Sequence, residues 1–160
     1  MIADVTLQLA SDAHALAIAL MSREQIEKGL GWSWTPRRVL RCIADADTNV
    51  LVALDNRGGL QGFAIMIYGL EQAHLSLLAV HPAQGRRGVG RALVRWLEAT
   101  ALTAGIGMVK LEARAGNVAA RAFYRRLGYR EVQVVPGYYG GREACVHITK
   151  SLWLDHAARA

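Results

Sequence analysis

Between Leu78 and Ala92 the chain reads LAVHPAQGRRGVGRA, and this stretch limits the possible folds more than any other. The apolar run His74 to Val80 before it has the length of a buried strand. After it, Val89, Ala92, Leu93, Trp96, Leu97 and Thr100 recur at three- and four-residue spacing. They form one face of an amphipathic helix, with Arg91, Arg95 and Glu98 opposite. A glycine- and arginine-rich loop therefore joins a strand end to a helix start. The first N–H groups of a helix lack carbonyl partners, and the helix dipole adds partial positive charge, so such a junction holds anions. Gly85, Gly88 and Gly90 let a ligand approach the backbone. Arg86, Arg87 and Arg91 carry guanidinium groups suited to phosphate oxygens. Together they predict a pyrophosphate ligand.

Two familiar phosphate loops do not fit. A P-loop needs Lys-Ser/Thr after its glycines, where this chain has Arg91-Ala92. A dinucleotide fingerprint needs a third Gly or Ala, where this chain has Leu93. The stretch instead resembles motif A of the GNAT superfamily, the acyl-CoA-dependent N-acyltransferases. There a strand ending V-x-P leads to Q/R-x-x-G-x-G/A and a helix, matched here by Val80-His81-Pro82 and Arg87-Gly88-Val89-Gly90. One position departs: Gly85 stands at the Gln/Arg site and Gln84 lies one residue early.

Asn117-Val-Ala-Ala120-Arg-Ala-Phe123-Tyr124-Arg-Arg-Leu127-Gly128-Tyr129 resembles motif B of the same superfamily, N-x-x-A-x-x-F/L-Y-x-x-x-G-F/Y, and follows in the order the family requires. The two motifs span Gln72 to Tyr129, and a fair match continues through Tyr138-Tyr139 and Arg142-Glu143. The C-terminal half is similar to the ribosomal-protein alanine N-acetyltransferase branch; the N-terminal fifty or so residues carry no motif.

The rest of the chain fits one domain over residues 1–160, enough for a full core. Hydrophobic residues make up 52% and charged residues 20%, a globular balance. No apolar run reaches the ~18 residues of a membrane span. MIADVTLQLA has an acid and no Lys or Arg, so it makes a poor signal peptide. Cys42 and Cys145 form no C-x-x-C pattern, which predicts neither a metal site nor a disulfide and suits the cytoplasm. The net charge of +6 is mostly arginine, since Lys28, Lys110 and Lys150 are the lysines. Much of it lies in Arg86–Arg95 and Arg114–Arg130, beside the proposed phosphate loop, and no basic-aromatic stripe suggests nucleic acid.

In order, Val5, Leu7 and Leu9 alternate as a first strand. Ser11 or Asp12 caps a helix to about Met21, and Ser22-x-x-Gln25 reads as a capping box for a second short helix ending near Gly29. The loop to Trp34 carries Trp32 and Trp34, which either cover the core or wall an acceptor pocket. Thr35-Pro36 starts a helix to about Ala44. Asn49–Leu54, Leu60–Tyr68 and the strand ending at Val80 read as an antiparallel meander. The helix Gly88–Thr103 stops at Gly105, and Met108–Ala113 follows as a parallel strand by a right-handed crossover. Asn117 caps a helix with Ala120, Phe123 and Leu127 inward and Arg121, Arg125 and Arg126 outward. Glu131–Val135 and Ala144–Ser151 form a last strand pair around a turn at Pro136–Gly141, and the tail after Trp153 is loose.

The expected fold is α/β: a mixed, mostly antiparallel sheet with helices on both faces and a splayed strand pair. The resemblance implies direct acetyl transfer from acetyl-CoA, without a metal, to a primary amine. It implies cofactor contacts from Leu78, Ala79, Val80, Arg86, Arg87, Gly88, Val89, Gly90, Arg91, Ala92, Asn117, Ala120, Phe123 and Tyr124. A backbone N–H near Leu78 or Ala79 would meet the thioester oxygen, and Tyr124 would stand near the leaving thiolate. A protonated amine must lose a proton before it attacks. Glu112 resembles the glutamate that serves as base in the ribosomal-protein branch, with an ion pair to Arg114 as the plainer reading of it; Glu71 and His74 are rival bases. His81 belongs to the turn. The acceptor is a peptide N-terminus or a small molecule, not nucleic acid or a membrane, and the protein is a monomer or homodimer. A regulatory module that binds acyl-CoA without turnover is the alternative.

Overall fold

Alternation at Val5, Leu7 and Leu9 does produce a strand, β1 (Thr6–Leu9). The computed structural model describes residues 4–85, 87–139 and 143–154, with 138 and 139 by backbone alone, so Arg142 and the tail beyond Leu154 lie outside the described residues. The remaining elements are α1 (Ala15–Gln25), α2 (Pro36–Ala44), β2 (Thr48–Leu54), β3 (Leu60–Tyr68), β4 (Gln72–Val80), α3 (Val89–Thr103), β5 (Met108–Arg114), α4 (Val118–Arg126), β6 (Arg130–Tyr139) and β7 (Glu143–Ser151). Among the described residues the seven strands lie in one mixed sheet, ordered β1-β2-β3-β4-β5-β7-β6. Pairs β1–β2, β2–β3, β5–β7 and β6–β7 are antiparallel and β4–β5 is parallel.

The chain divides into two compact units, Met1–Ile67 with Leu75–Leu97, and Tyr68–His74 with Glu98–Ala160. In the first, Ile18, Ala19, Val39, Val52, Phe63 and Ile65 lie fully buried in one apolar cluster, with Trp34 packed against it. Gly62 fits there because a Cβ would come within 3.1 Å of the Ala79 carbonyl and 3.2 Å of Val89. In the second, Val109, Leu111, Tyr124, Leu127, Tyr129, Val146 and Ile148 are buried. Arg121 grips Glu131 through two hydrogen bonds of 2.7 and 2.9 Å and donates to the Ala115 carbonyl at 2.7 Å, tying α4 to the start of β6.

Four expectations need correction. Ser22-x-x-Gln25 opens no second helix: α1 runs through it to Gln25, and the buried Ser22 hydroxyl donates sideways to Glu27 at 3.1 Å. The earlier helix start is a 3-10 turn, Asp12–His14, ahead of α1. The turn at Pro136 is strand instead. β6 ends the sheet order, where a proline's missing N–H is tolerated, and its register slips between Val135 and Tyr139 around Gly137 at φ 67°. Finally, Glu98 is buried rather than on the solvent face of α3.

Candidate active site

The loop after β4 takes its shape from two local constraints in the first unit. After β4, the His81 N–H donates to the Gln61 carbonyl at 2.7 Å, and its Nδ1 accepts from the Ala83 N–H at 3.1 Å, so His81 does belong to the turn. Gly88 then adopts φ 84°, a left-handed conformation that a side chain would strain. The Ala92 amide donates to the Gly88 carbonyl at 3.0 Å, leaving the amides of Val89, Gly90 and Arg91 ahead of the helical ladder. Arg87 and Arg91 are exposed beside them, and Arg86 lies outside the described residues. Left-handed glycine, leading amides and flanking guanidiniums suit a pyrophosphate. Gln84, the residue offset from the motif, turns its Nε2 to Gln61 at 3.0 Å, while its Oε1 is buried without a partner among the described residues. Ala79 is buried at the end of β4, and Leu78 and Val80 are half-buried.

The second unit holds the titratable groups. β4 and β5 pair only at Gln72–Met108, Ala73–Val109 and His74–Lys110; β5 then continues to Arg114 on β7 alone. Where that ladder ends, His74 Nε2 lies 2.8 and 3.1 Å from the two oxygens of Glu112. Two expected rivals for one role are therefore bonded to each other. Arg114 lies 3.8 Å from the Glu143 carboxylate, while the bonded partner of Glu112 is His74. The hydrogen bond from His74 holds the Glu112 carboxyl below the usual carboxylate range; burial opposes this, and the charges of His74, His147 and Lys110 assist. Glu71, the third candidate, is exposed at the β3–β4 turn.

Asn117 caps α4, its side chain accepting from the Ala120 N–H at 3.1 Å. The buried residue of α4 is Tyr124, while Ala120 and Phe123 are half-buried. The Tyr124 ring meets Phe123 and Tyr129 edge-on, with centroids 5.1 and 5.6 Å apart. Burial pushes its phenol well above the ordinary value, so it stays protonated and able to donate. Nearby support centres on Glu98, which periodicity places on the solvent face of α3 and the structure buries. Glu98 accepts from the Tyr129 hydroxyl at 2.8 Å and from Lys150 Nζ at 3.2 Å, and Lys150 also donates to the Leu127 carbonyl at 2.7 Å. Glu27 was not singled out at all. It is buried, and its carboxylate accepts from Ser33 N–H and Oγ at 2.7 Å each and from Trp34 N–H at 3.1 Å, pinning the tryptophan loop.

Residues 46–131 match the acetyltransferase (GNAT) domain family. The chain is 38% identical to the ribosomal protein bS18-alanine N-acetyltransferase of Escherichia coli K12 over 96 residues, 58% of this chain and 65% of the relative. It thus spans just under two thirds of that relative's length. The protein of the same name from Salmonella typhimurium LT2 is 34% identical over 116 residues, 72% of this chain and 77% of the relative. The crystal structure of the ribosomal-protein-S18-alanine N-acetyltransferase from Escherichia coli superposes with a TM-score of 0.74 at 28% identity, covering 92% of this chain and 94% of that one. With motif, sheet order and sequence in agreement, the chain belongs to the GNAT acetyltransferase family.

Proposed function

We propose that the protein transfers an acetyl group from acetyl-CoA directly to a primary amine, with a polypeptide N-terminus as the favoured acceptor. The observation that carries this is the His74–Glu112 bond at the end of the β4–β5 ladder. It supplies an anionic base unit for an acceptor that arrives as a cation. Glu112 attracts the ammonium group and fixes the imidazole, and the pair takes the amine proton directly or through one water. A backbone N–H near Leu78 or Ala79 donates to the thioester oxygen as charge builds there. Tyr124 donates its O–H to the departing sulfur. With its acidity weakened by burial, it steadies the thiolate by a hydrogen bond rather than surrendering the proton outright. The amides of Val89, Gly90 and Arg91, with Arg86, Arg87 and Arg91, hold the pyrophosphate. Ala92, Asn117, Ala120 and Phe123 complete the assigned cofactor contacts. We also assign a single domain over residues 1–160, no metal, a cytoplasmic setting and a monomer or homodimer.

Acetyl-CoA should raise the melting temperature by linkage, and NAD or ATP should do so far less; equal shifts from all three contradict the assignment. Gly88→Glu places a side chain at φ 84° and a negative charge among the amides, and should abolish most of the acetyl-CoA shift. Tyr124→Phe keeps both edge-on ring contacts. Turnover should fall roughly 10²-fold, in the range for removing one hydrogen-bond donor to developing charge, with acetyl-CoA affinity unchanged. An unchanged chemical rate would make Tyr124 a packing residue. An acceptor screen following acetyl-CoA consumption, with N-terminal peptides and small amines side by side, decides the acceptor class. Turnover of small amines without peptides overturns the peptide assignment, and binding of acetyl-CoA without turnover of any amine favours a regulatory module.

A further inference from the structure

Within the first unit, Trp34, Arg38, Arg41, Cys42, Asp45 and Ile67 line an open pocket of about 440 Å³, a size ordinary for a ligand site. Its wall is built before any ligand arrives. Glu27 fixes the backbone of Ser33 and Trp34 by hydrogen bonds of 2.7 to 3.1 Å. Burial would raise its pKa, but the bonds from Ser33, Trp34 and Ser22 hold it below the usual range, so the anchor stays ionised. The Arg38 guanidinium lies 3.7 Å above the Trp34 ring. One of its nitrogens donates to the Ser33 carbonyl at 3.5 Å, and the guanidinium carries further N–H donors for an acceptor. Arg41 follows one turn later on α2.

The charges on this wall are unbalanced. Asp45 is the acidic lining residue, but its oxygens accept from the Thr48 hydroxyl at 2.7 Å and the Asp47 N–H at 3.2 Å, which keep its carboxyl below the usual range. Among the described residues no carboxylate lies at ion-pair distance from Arg38 or Arg41. Burial pushes the Cys42 thiol up, so it adds a neutral surface. Ile67 and the Trp34 ring supply apolar contact for a short methylene stem. Two guanidiniums against one carboxylate that is already bonded to Thr48 and Asp47 leave this wall net positive beside the Ile67 and Trp34 surfaces, which matches a carboxylate side chain that can accept bidentately.

We propose that this pocket receives an aspartate or glutamate side chain of the polypeptide acceptor, which makes the enzyme selective for acidic N-terminal segments; the inference rests on acetyl transfer to a peptide N-terminus. The test is fluorescence anisotropy with labelled peptides that carry Glu, or Gln in its place, near a free N-terminus, alongside acetylation kinetics on the same peptides. The Glu peptides should bind at least about tenfold tighter, as expected for one charge-assisted hydrogen-bonded pair, and the advantage should shrink with salt. Arg38→Gln/Arg41→Gln should erase it. Arg41→Gln alone, which leaves the Arg38–Trp34 stack in place, should reduce it while the acetyl-CoA melting shift persists, showing that charge rather than fold was lost. Equal binding of Glu and Gln peptides, or a preference retained in the double variant, overturns the pocket assignment. Acidic peptides that bind by this rule but are never acetylated leave the pocket standing and overturn the transfer reaction instead.

Discussion

Glu112→Gln should lower turnover at neutral pH by about 10²-fold or more, the contribution expected of a positioned base. The replacement keeps the shape and the hydrogen-bonding reach to His74, now 2.8 Å away, and removes only the charge. Acetyl-CoA affinity should therefore hold while kcat/KM for the amine falls. The pH profile separates a base from a mere support. The bond from His74 holds the Glu112 carboxyl below the ordinary carboxylate range, with burial opposing. The carboxylate is thus already ionised well below neutrality, and an acidic limb above about pH 5 reports a group that works with it. Removing the charge takes the anionic member from the base unit, so that limb should change. Lys110 on β5 and His147, which pairs with Glu112 across β5–β7, also face the carboxylate; neither Lys110→Met nor His147→Gln should shift the limb as far. A wild-type profile in Glu112→Gln would return the residue to a structural role. Stability carries the matching sign. A carboxyl whose folded pKa is depressed stabilises the fold above its unfolded pKa, near 4.3, and loses that contribution as pH falls through the folded value. The stability difference between wild type and Glu112→Gln should accordingly vanish in acid.

Lys150→Ala should destabilise the fold by about 3–5 kcal/mol, the range for one partner removed from a buried ion pair. Lys150 and Glu98 side chains are 2% and 7% exposed. The ammonium group satisfies both the Glu98 carboxylate and the Leu127 carbonyl at the end of α4. Truncation leaves a buried carboxylate with the Tyr129 hydroxyl at 2.8 Å and no counter-charge from Lys150. At ~2–4 °C per kcal/mol for a chain of this size, the melting temperature should drop by roughly 10 °C, read by thermal or denaturant unfolding. Glu98→Leu/Lys150→Met, which removes both charges, should recover most of the loss, because a well-packed apolar pair often matches a buried ion pair. A small effect of Lys150→Ala, or a double variant worse than the single, would contradict this role.

Much of this was legible because strands write their faces at period two. Ala73, Leu75, Leu77 and Ala79 of β4 are buried, as are Val109, Leu111 and Ala113 of β5, so His74 and Glu112 fall on the less buried face of each strand. What periodicity lacks is the register between strands. The His74–Lys110 pairing brings His74 within reach of Glu112 one step along the same face, and no local pattern states it. Lys150 shows the same gap from the other side. It continues the buried alternation of Val146 and Ile148, but a charge at such a position makes sense only once Glu98, far away in sequence, supplies its partner. Motif A placed the Gly88 turn and the α3 start because a left-handed glycine and a helix boundary are local events. Glu27 left no such trace, since its partners Ser33 and Trp34 come from an irregular loop. Ser22 misled for a related reason: its spacing to Gln25 is that of a capping box, while its hydroxyl is committed to Glu27 within a continuous helix.

The central claim is direct transfer of acetyl from acetyl-CoA to an amine, with Tyr124 and the His74–Glu112 pair acting on the reacting groups. Its most direct measurement is single-turnover mass spectrometry of enzyme, acetyl-CoA and an N-terminal peptide mixed in equal amounts. Wild-type protein should put one acetyl group on the peptide α-amine with no acetylated enzyme at any time, and Tyr124→Phe and Glu112→Gln should slow that step while still binding acetyl-CoA. An acetyl-enzyme that forms and decays in step with product, or acetylation that proceeds unslowed in both variants, would contradict it.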